Sequence, residues 1–325
     1  MNHNAIFDIR NDDDFEREAL RIFQYQFEHN KVYRSFCDLL YKHPSEIKHS
    51  SDIPFLPIQF FKSHRILTEQ ISSEITFCSS GTTGAITSKH HVADLSLYEK
   101  SFRNAFAKAY TDPKDIAILA LLPSYLERSG SSLIYMAQDL IRSSNHPKSG
   151  FYLHNYEELK DTLENLEKKG QKTLLIGVSF ALLDLVEKYP FNLKHTIVME
   201  TGGMKGRRKE LIRQELHSIL ARGFGVDHIH SEYGMTELLS QAYSHGNGIF
   251  NTPPWMKVYS RDTEDALTIL DSQKSGGLNI IDLANVYSCS FIATQDLGKV
   301  YADGRFEVLG RFDNSDIRGC NLMAL

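Results

Sequence analysis

The period of the apolar positions changes along the chain. Phe15, Ala19, Ile22, Phe23 and Phe27 recur at helical spacing behind Asn11-Asp12-Asp13-Asp14, a run suited to a helix N-terminus. Pro54 and Pro57 then interrupt the segment IPFLPIQFF. From Ile116 onward, strand-like and helix-like stretches alternate. IAILALL (116–122) reads as a buried strand and SSLIYMAQDLI (131–141) as a helix. TLLIGV (173–178) is a second strand, followed by the helix FALLDLVEKY; TIVM (196–199) is a third, followed by the helix KGRRKELIRQELHSIL. Continuous apolar strands between amphipathic helices predict an α/β fold with a parallel sheet covered on both faces. Ligands of such sheets bind beyond the carboxyl ends of the strands, which selects the loops after Leu122, Val178 and Met199 and the segment around Ser231 to Thr236. A further helix is expected over LLSQAYS (238–244). Beyond Asn251, short strands with turns at SGG (275–277) and ADG (302–304) predict a small antiparallel β-unit. The expected division is an α/β core with a helical N-terminal region over 1–250, then the β-unit and a C-terminal tail over 251–325.

Composition narrows the class. A chain of 325 residues, 42% hydrophobic and 24% charged, has the balance of a soluble globular protein with a sizeable core. The net charge of -5 gives no reason to expect nucleic acid, and the basic run Lys205 to Lys209 reads as a solvated helix face. The N-terminus, MNHNAIFDIRNDDDFERE, lacks the apolar stretch of a secretory signal, and no run approaches the ~20 apolar residues of a membrane helix. Cys37, Cys78, Cys289 and Cys320 are too scattered for a disulfide framework or a C-x-x-C metal site, which suits reduced thiols in a cytoplasm. His90-His91 and His228-x-His230 fall short of a metal site on their own.

Four segments carry candidate chemistry. CSSGTTG (78–84) follows the strand-like ITF; its glycines allow close backbone approach, and Ser79, Ser80, Thr82 and Thr83 offer hydroxyls to phosphate oxygens. It lacks the Lys-Ser/Thr of a Walker A loop, and by composition an ordinary Ser/Thr/Gly turn fits equally well. ETGG (200–203) ends the third strand and offers backbone to a flat ligand or a plain turn. In SEYGMTE (231–237), Tyr233 suits stacking on a base and Glu237 suits a Mg²⁺ that bridges phosphates; a first-turn partner of a helix dipole is the plainer reading of Glu237. TQD (294–296), followed by GRFDNSDIRGC (310–320), places Asp296 either in a turn or as an acceptor for two ribose hydroxyls.

Taken in order, SSGTTG, the Gly-Gly strand end, YGMTE, T-x-D and G-R-x-D resemble the motif series of the adenylate-forming ligase superfamily over nearly the whole chain. The blocks IFQYQFEHNKVYRSFCDLL, IPFLPIQFFKSH, DLSLYEKSF, PSYLERSGSSLIYM and RGCNLM are similar to the acyl-protein synthetases of the bacterial bioluminescence fatty-acid reductase system. The resemblance implies activation of a fatty or other carboxylic acid with ATP and Mg²⁺. It further implies acylation of a C-terminal cysteine and delivery to a partner protein, such as a reductase or a carrier. Ser79, Ser80, Gly81, Thr82, Thr83 and Gly84 match the phosphate loop. Gly202, Gly203 and Tyr233 match the adenine pocket, Thr236 a phosphate contact, and Glu237 the metal ligand. Asp296 matches the ribose-binding aspartate, Arg311 and Asp313 the hinge segment, and Cys320 the acyl acceptor.

Two departures qualify the likeness. Many members of the superfamily follow the glycine loop with Pro-Lys, whereas Lys89 lies five residues beyond Gly84 and receives no role. The sequence stops at Leu325, so the small C-terminal domain with its catalytic lysine is expected to be missing. An acyl- or aryl-CoA ligase with an external thiol acceptor is the alternative. A serine acyltransferase or hydrolase using Ser179 in GVSFA is a second, because the segment resembles a nucleophile elbow with Ala181 in place of the second glycine.

Overall fold

The computed structural model describes residues 3–79, 86–123, 130–153, 155–202 and 211–312. Its helices are α1 (Asn4–Phe7), α2 (Asp12–His29), α3 (Lys31–Leu39), α4 (Phe60–Ser63), α5 (Leu95–Ala109), α6 (Ser132–Ser144), α7 (Tyr156–Lys168), α8 (Ser179–Lys188) and α9 (Arg213–Phe224). Its strands are β1 (Leu56–Pro57), β2 (Ile75–Cys78), β3 (Lys89–Val92), β4 (Ala117–Leu121), β5 (Gly150–Phe151), β6 (Thr173–Gly177) and β7 (Thr196–Thr201). They continue with β8 (His230–Tyr233), β9 (Ala242–Ser244), β10 (Ile249–Phe250), β11 (Met256–Arg261), β12 (Ser275–Asp282), β13 (Phe291–Val300) and β14 (Phe306–Arg311). The described residues group into two compact units.

The larger unit holds residues 75–89 and 95–253. Its sheet runs β5-β4-β6-β7-β8-β9, parallel throughout except for the antiparallel β9. Every residue of β4 and of β6 is buried, as their unbroken apolar runs require of strands covered on both faces. Each such Leu or Ile side chain contributes about 1.5–3 kcal/mol through burial. Helix α8 follows β6 within one residue, and Gly177 permits this: a Cβ there would come within 2.8 Å of the Leu182 side chain. The expected helix over 238–244 does not form. Leu238, Leu239 and Ser240 are buried after a turn at Thr236 and Glu237, and the chain returns as β9, antiparallel to β8.

The second unit is discontinuous and takes in residues from 3–74, 90–94 and 254–312. The helical N-terminal region therefore belongs with the C-terminal strands, whereas the sequence had grouped it with the parallel sheet. Helix α2 starts where its acidic run indicates, with the Asn11 side chain accepting from Asp14 N at 2.9 Å. Its buried face packs on the start of β13, where Phe23 meets Phe291 edge-on and Tyr33 of α3 stacks on the same ring. Gln26, fully buried, binds the segment between β12 and β13: Nε2 donates to the carbonyls of Asn285 and Val286, and Oε1 accepts from Ser290 N. Strands β11 to β14 form the expected antiparallel meander, with the short β1 parallel to β13. The ADG turn appears where expected, with Gly304 at φ 82°. SGG is no turn: it opens β12, inside the sheet.

Candidate functional site

In the parallel-sheet unit, the candidate residues cluster at the carboxyl ends of β7 and β8. The register sets Glu200 beside Ser231 and Thr201 beside Glu232. Gly202 leaves β7 at φ 72°, a left-handed conformation that favours glycine and turns its carbonyl back onto α8. The Ser179 hydroxyl is shared between that carbonyl at 2.6 Å and Glu200 Oε2 at 3.3 Å.

Glu200 is buried. Burial alone would raise its pKa, but the His217 hydrogen bond and the Arg213 and His217 charges outweigh it, so the carboxyl sits below its ordinary range. His217 Nε2 lies 3.5 Å from Glu200 Oε1 and 3.5 Å from Ser231 Oγ. Both contacts fall on the same nitrogen, so the group is not a serine–histidine–carboxylate relay, which needs both ring nitrogens. Ser179 also fails as a nucleophile: it is buried, and the hydrogen bonds described for its hydroxyl go to Glu200 and Gly202, not to a histidine.

Glu232 behaves oppositely. Burial, reinforced by the Glu200 charge and opposed by the Thr201 hydrogen bond, raises its pKa to about 7. Tyr98, Tyr110 and Tyr243 share its surroundings, and its charge adds to burial in raising all three phenols. A Cβ at Gly234 would collide with Glu232 Oε1, so a larger residue there would displace the carboxyl group. Neither Glu200 as a charged anchor nor Glu232 was singled out in the sequence. For Glu200 the available signal was a carboxylate at the end of the apolar run TIVM, a position that function or a buried partner must explain; the polar β8, HSEY, carried no such signal for Glu232.

Tyr233 is buried, its ring tilted against Phe250 at 5.7 Å. Thr236 is half-buried and Glu237 buried, in a turn closed by the bond from Leu238 N to Met235 O. At the other motif of this unit, Cys78 N donates to the Gly130 carbonyl, and Ser79 and Ser88 exchange two bonds: Ser79 N to Ser88 O at 3.1 Å, and Ser88 N to Ser79 Oγ at 2.9 Å. The ends of the Ser/Thr/Gly segment are thereby tied together. Ser80, Gly81, Thr82, Thr83, Gly84 and Gly203 lie outside the described residues, as do Asp313 and Cys320.

In the second unit, β13 and β14 set Asp296 opposite Arg311, and Arg311 Nε lies 3.3 Å from Asp296 Oδ1. Asp296 is mostly buried and Arg311 is exposed. The Thr294 hydroxyl accepts from Asp296 N at 3.1 Å and donates to the Leu278 carbonyl at 2.8 Å, so T-x-D is no turn but a stretch inside β13 where its register against β12 shifts. Among the described residues, no group of three His, Cys, Asp or Glu side chains is arranged to hold a metal ion. No described helix is long and apolar enough to cross a membrane.

Solved structures resemble this architecture over most of the chain. A 2-hydroxyisobutyryl-CoA ligase in complex with 2-HIB-AMP and CoA superposes with a TM-score of 0.65 at 13% identity, covering 93% of this chain and 70% of that one. The fold is that of the adenylate-forming ligases. ATP-bound MatB from Rhodopseudomonas palustris matches with a TM-score of 0.56 at 17% identity, over 73% of this chain, which spans 47% of MatB. In sequence, the chain is 23% identical over 326 residues to the long-chain-fatty-acid–luciferin-component ligase of Vibrio harveyi, covering 92% of this chain and 84% of that protein. The resemblance read from the motif blocks is borne out by this relative. No family model matches the chain.

Proposed function

We propose that this protein is an adenylate-forming acid ligase that activates a fatty or other carboxylic acid with ATP and then passes the acyl group to a thiol. The observation that carries this reading is the ordered motif series on an adenylate-forming-ligase fold, together with the similarity to a fatty-acid ligase over 92% of the chain.

In the first half-reaction, the substrate carboxylate attacks the α-phosphorus of ATP. An O–P bond forms, the α–β P–O bond breaks, and pyrophosphate leaves. The chain's part is positioning and charge stabilisation. The hydroxyls and backbone of Ser79, Ser80, Gly81, Thr82, Thr83 and Gly84 bind the phosphates, the tie between Ser79 and Ser88 bracing the loop at its ends. Gly202, Gly203 and Tyr233 hold the adenine, Thr236 contacts phosphate, and Asp296 accepts the ribose hydroxyls beside Arg311. Glu237 would hold Mg²⁺. One carboxylate, with no group of three His, Cys, Asp or Glu side chains among the described residues, suits an ion that takes most of its ligands from water and substrate phosphates, whereas a zinc cage needs more protein donors. The ion would supply neutralising charge at the phosphates.

In the second half-reaction, a thiolate attacks the acyl carbon and AMP leaves, giving a thioester. Two of the four cysteines are unsuited: burial raises the Cys37 thiol to about 12 and moves the buried Cys289 thiol up as well. Cys320 is the proposed acceptor, with delivery to a partner acyl-acceptor protein as the following step. Acid-dependent ATP–pyrophosphate exchange across a panel of fatty and aromatic acids tests the first half-reaction. A folded, ATP-binding protein that exchanges with none of them would overturn the reading.

A further inference from the structure

Strand β11 ends at Arg261, whose guanidinium reaches across β12 to β13. Its NH1 group donates to the Leu278 carbonyl at 2.8 Å and to Asn279 Oδ1 at 2.8 Å, and its NH2 group to the Thr294 carbonyl at 2.6 Å. The Leu278 carbonyl also accepts from Thr294 Oγ1, which in turn accepts from Asp296 N. One hydrogen-bonded chain thus runs from Arg261 to the backbone of Asp296.

The surrounding sequence is shaped to this side chain. Gly277 faces Arg261 in the β11–β12 register, and a Cβ there would lie 2.6 Å from the guanidinium carbon. This accounts for the SGG segment as a passage through the sheet. The register of β12 against β13 shifts between Gly277 and Asn279, beside the crossing. Buried Asn279 turns its oxygen to Arg261 while its Nδ2 has no partner among the described residues. The reverse orientation would set donor against donor, so the guanidinium fixes the amide. Burial lowers the Arg261 pKa, and the Asp296 charge opposes that shift. A planar fork satisfying three acceptors is the geometry for which arginine, and not lysine, is suited.

We propose that Arg261 is a positioning residue for nucleotide recognition: by fastening Thr294 it fixes the irregular stretch of β13 that aims the Asp296 carboxylate at the ribose hydroxyls. The proposal rests on the reading of Asp296 given under Proposed function. It requires that loss of Arg261 be felt at the ribose and not uniformly over the nucleotide. A role confined to stability would weaken binding of all nucleotides alike.

The test is calorimetric binding of ATP and of 2′,3′-dideoxy-ATP to the full chain. The parent should prefer ATP by about tenfold or more, the worth of one or two hydrogen bonds to a charged group. Asp296→Ala should remove the preference. Arg261→Gln, shown folded by circular dichroism, should reduce it at least threefold while changing dideoxy-ATP affinity little, and Arg261→Lys should restore it only in part. Should Arg261→Gln fail to fold, Gly277→Ala crowds the guanidinium while keeping its charge, and should reduce the preference in the same way. A folded Arg261→Gln or Gly277→Ala protein with the parent's full preference, alongside an Asp296→Ala protein that has lost it, overturns the positioning role. Retention of the preference by Asp296→Ala removes the ribose assignment and the proposal with it. A parent that binds neither nucleotide overturns the ligase reading itself.

Discussion

Thr201 Oγ1 donates to Glu232 Oε2 over 2.6 Å, across the parallel pair β7 and β8. It is a neutral donor to a carboxyl whose burial raises its pKa from 4.5 to about 7. Below pH 4.5 both folded and unfolded chains hold the proton. Between 4.5 and about 7 the folded protein keeps a proton that the unfolded chain has released, so stability falls as pH rises through this window and levels off above it. The full span corresponds to about 3 kcal/mol. His230, lowered to about 4 by burial and by neighbouring His245 and His228, contributes the opposite slope between about 4 and 6.5. Glu200, shifted below its ordinary 4.5, acts only at lower pH, where its contribution is lost as pH falls. Comparison of denaturant unfolding for Glu232→Gln and the parent at pH 5 and pH 8 cancels the other groups. The variant should lose the Glu232 slope; identical pH dependence in the two proteins would exclude a raised Glu232 pKa.

Gln26→Ala addresses the union of the N-terminal helices with the antiparallel sheet. The substitution strips the carbonyls of Asn285 and Val286 of a donor and Ser290 N of its acceptor, all within a buried segment. An expected loss of about 2–5 kcal/mol follows from buried polar groups left unsatisfied plus the cavity. Urea unfolding measures it. A loss under 1 kcal/mol would show that the clamp is not what joins these segments.

These two cases also mark what the sequence makes legible. Residues with one local reason for their conformation announce themselves: Asn11 caps its helix, the continuous apolar runs at 117–121 and 173–177 become buried parallel strands, and Gly304 turns the last hairpin. Residues whose reasons lie far along the chain do not. Gln26 looks like a surface glutamine on an amphipathic helix until its partners some 260 positions later are in place. SGG carries turn composition, but its glycines accommodate the Arg261 backbone and side chain in a neighbouring strand. LLSQAYS has apolar residues at helical spacing, yet all seven are buried, and so short a run does not distinguish strand from helix. At the candidate site, the motif order was legible because it is a string; the buried pair of carboxylates Glu200 and Glu232 was not, because their opposite shifts arise from three-dimensional neighbours.

Glu237→Gln keeps the size of the side chain and removes its charge. If Glu237 holds the metal, acid-dependent ATP–pyrophosphate exchange should fall by about 10²-fold or more with the circular dichroism spectrum and unfolding midpoint little changed. Added Mg²⁺ should recover part of the loss. Exchange within threefold of the parent would place the metal ligand elsewhere.

Cys320→Ser should separate the two half-reactions. The thiol takes no part in attack on the α-phosphorus, so exchange should persist at the parent's rate. Transfer needs a thiolate, and a serine hydroxyl near neutral pH is a far weaker nucleophile, so stable labelling of the protein from radioactive fatty acid and ATP should vanish. Label on the parent should be released by neutral hydroxylamine, as a thioester is and an amide is not. The other cysteines supply controls of differing strength. Cys37 and Cys289 are buried thiols with raised pKa values, so Cys37→Ala and Cys289→Ala should stay labelled provided they fold. Cys78 is only half-buried and sits beside Ser79, which makes Cys78→Ser the most searching control. Mass spectrometry that finds the acyl group on Cys78 would reassign the acceptor to the phosphate-loop thiol. Accumulation of free acyl-adenylate with no acylated protein would instead leave an adenylating enzyme that hands its product to an external thiol such as coenzyme A or a carrier protein.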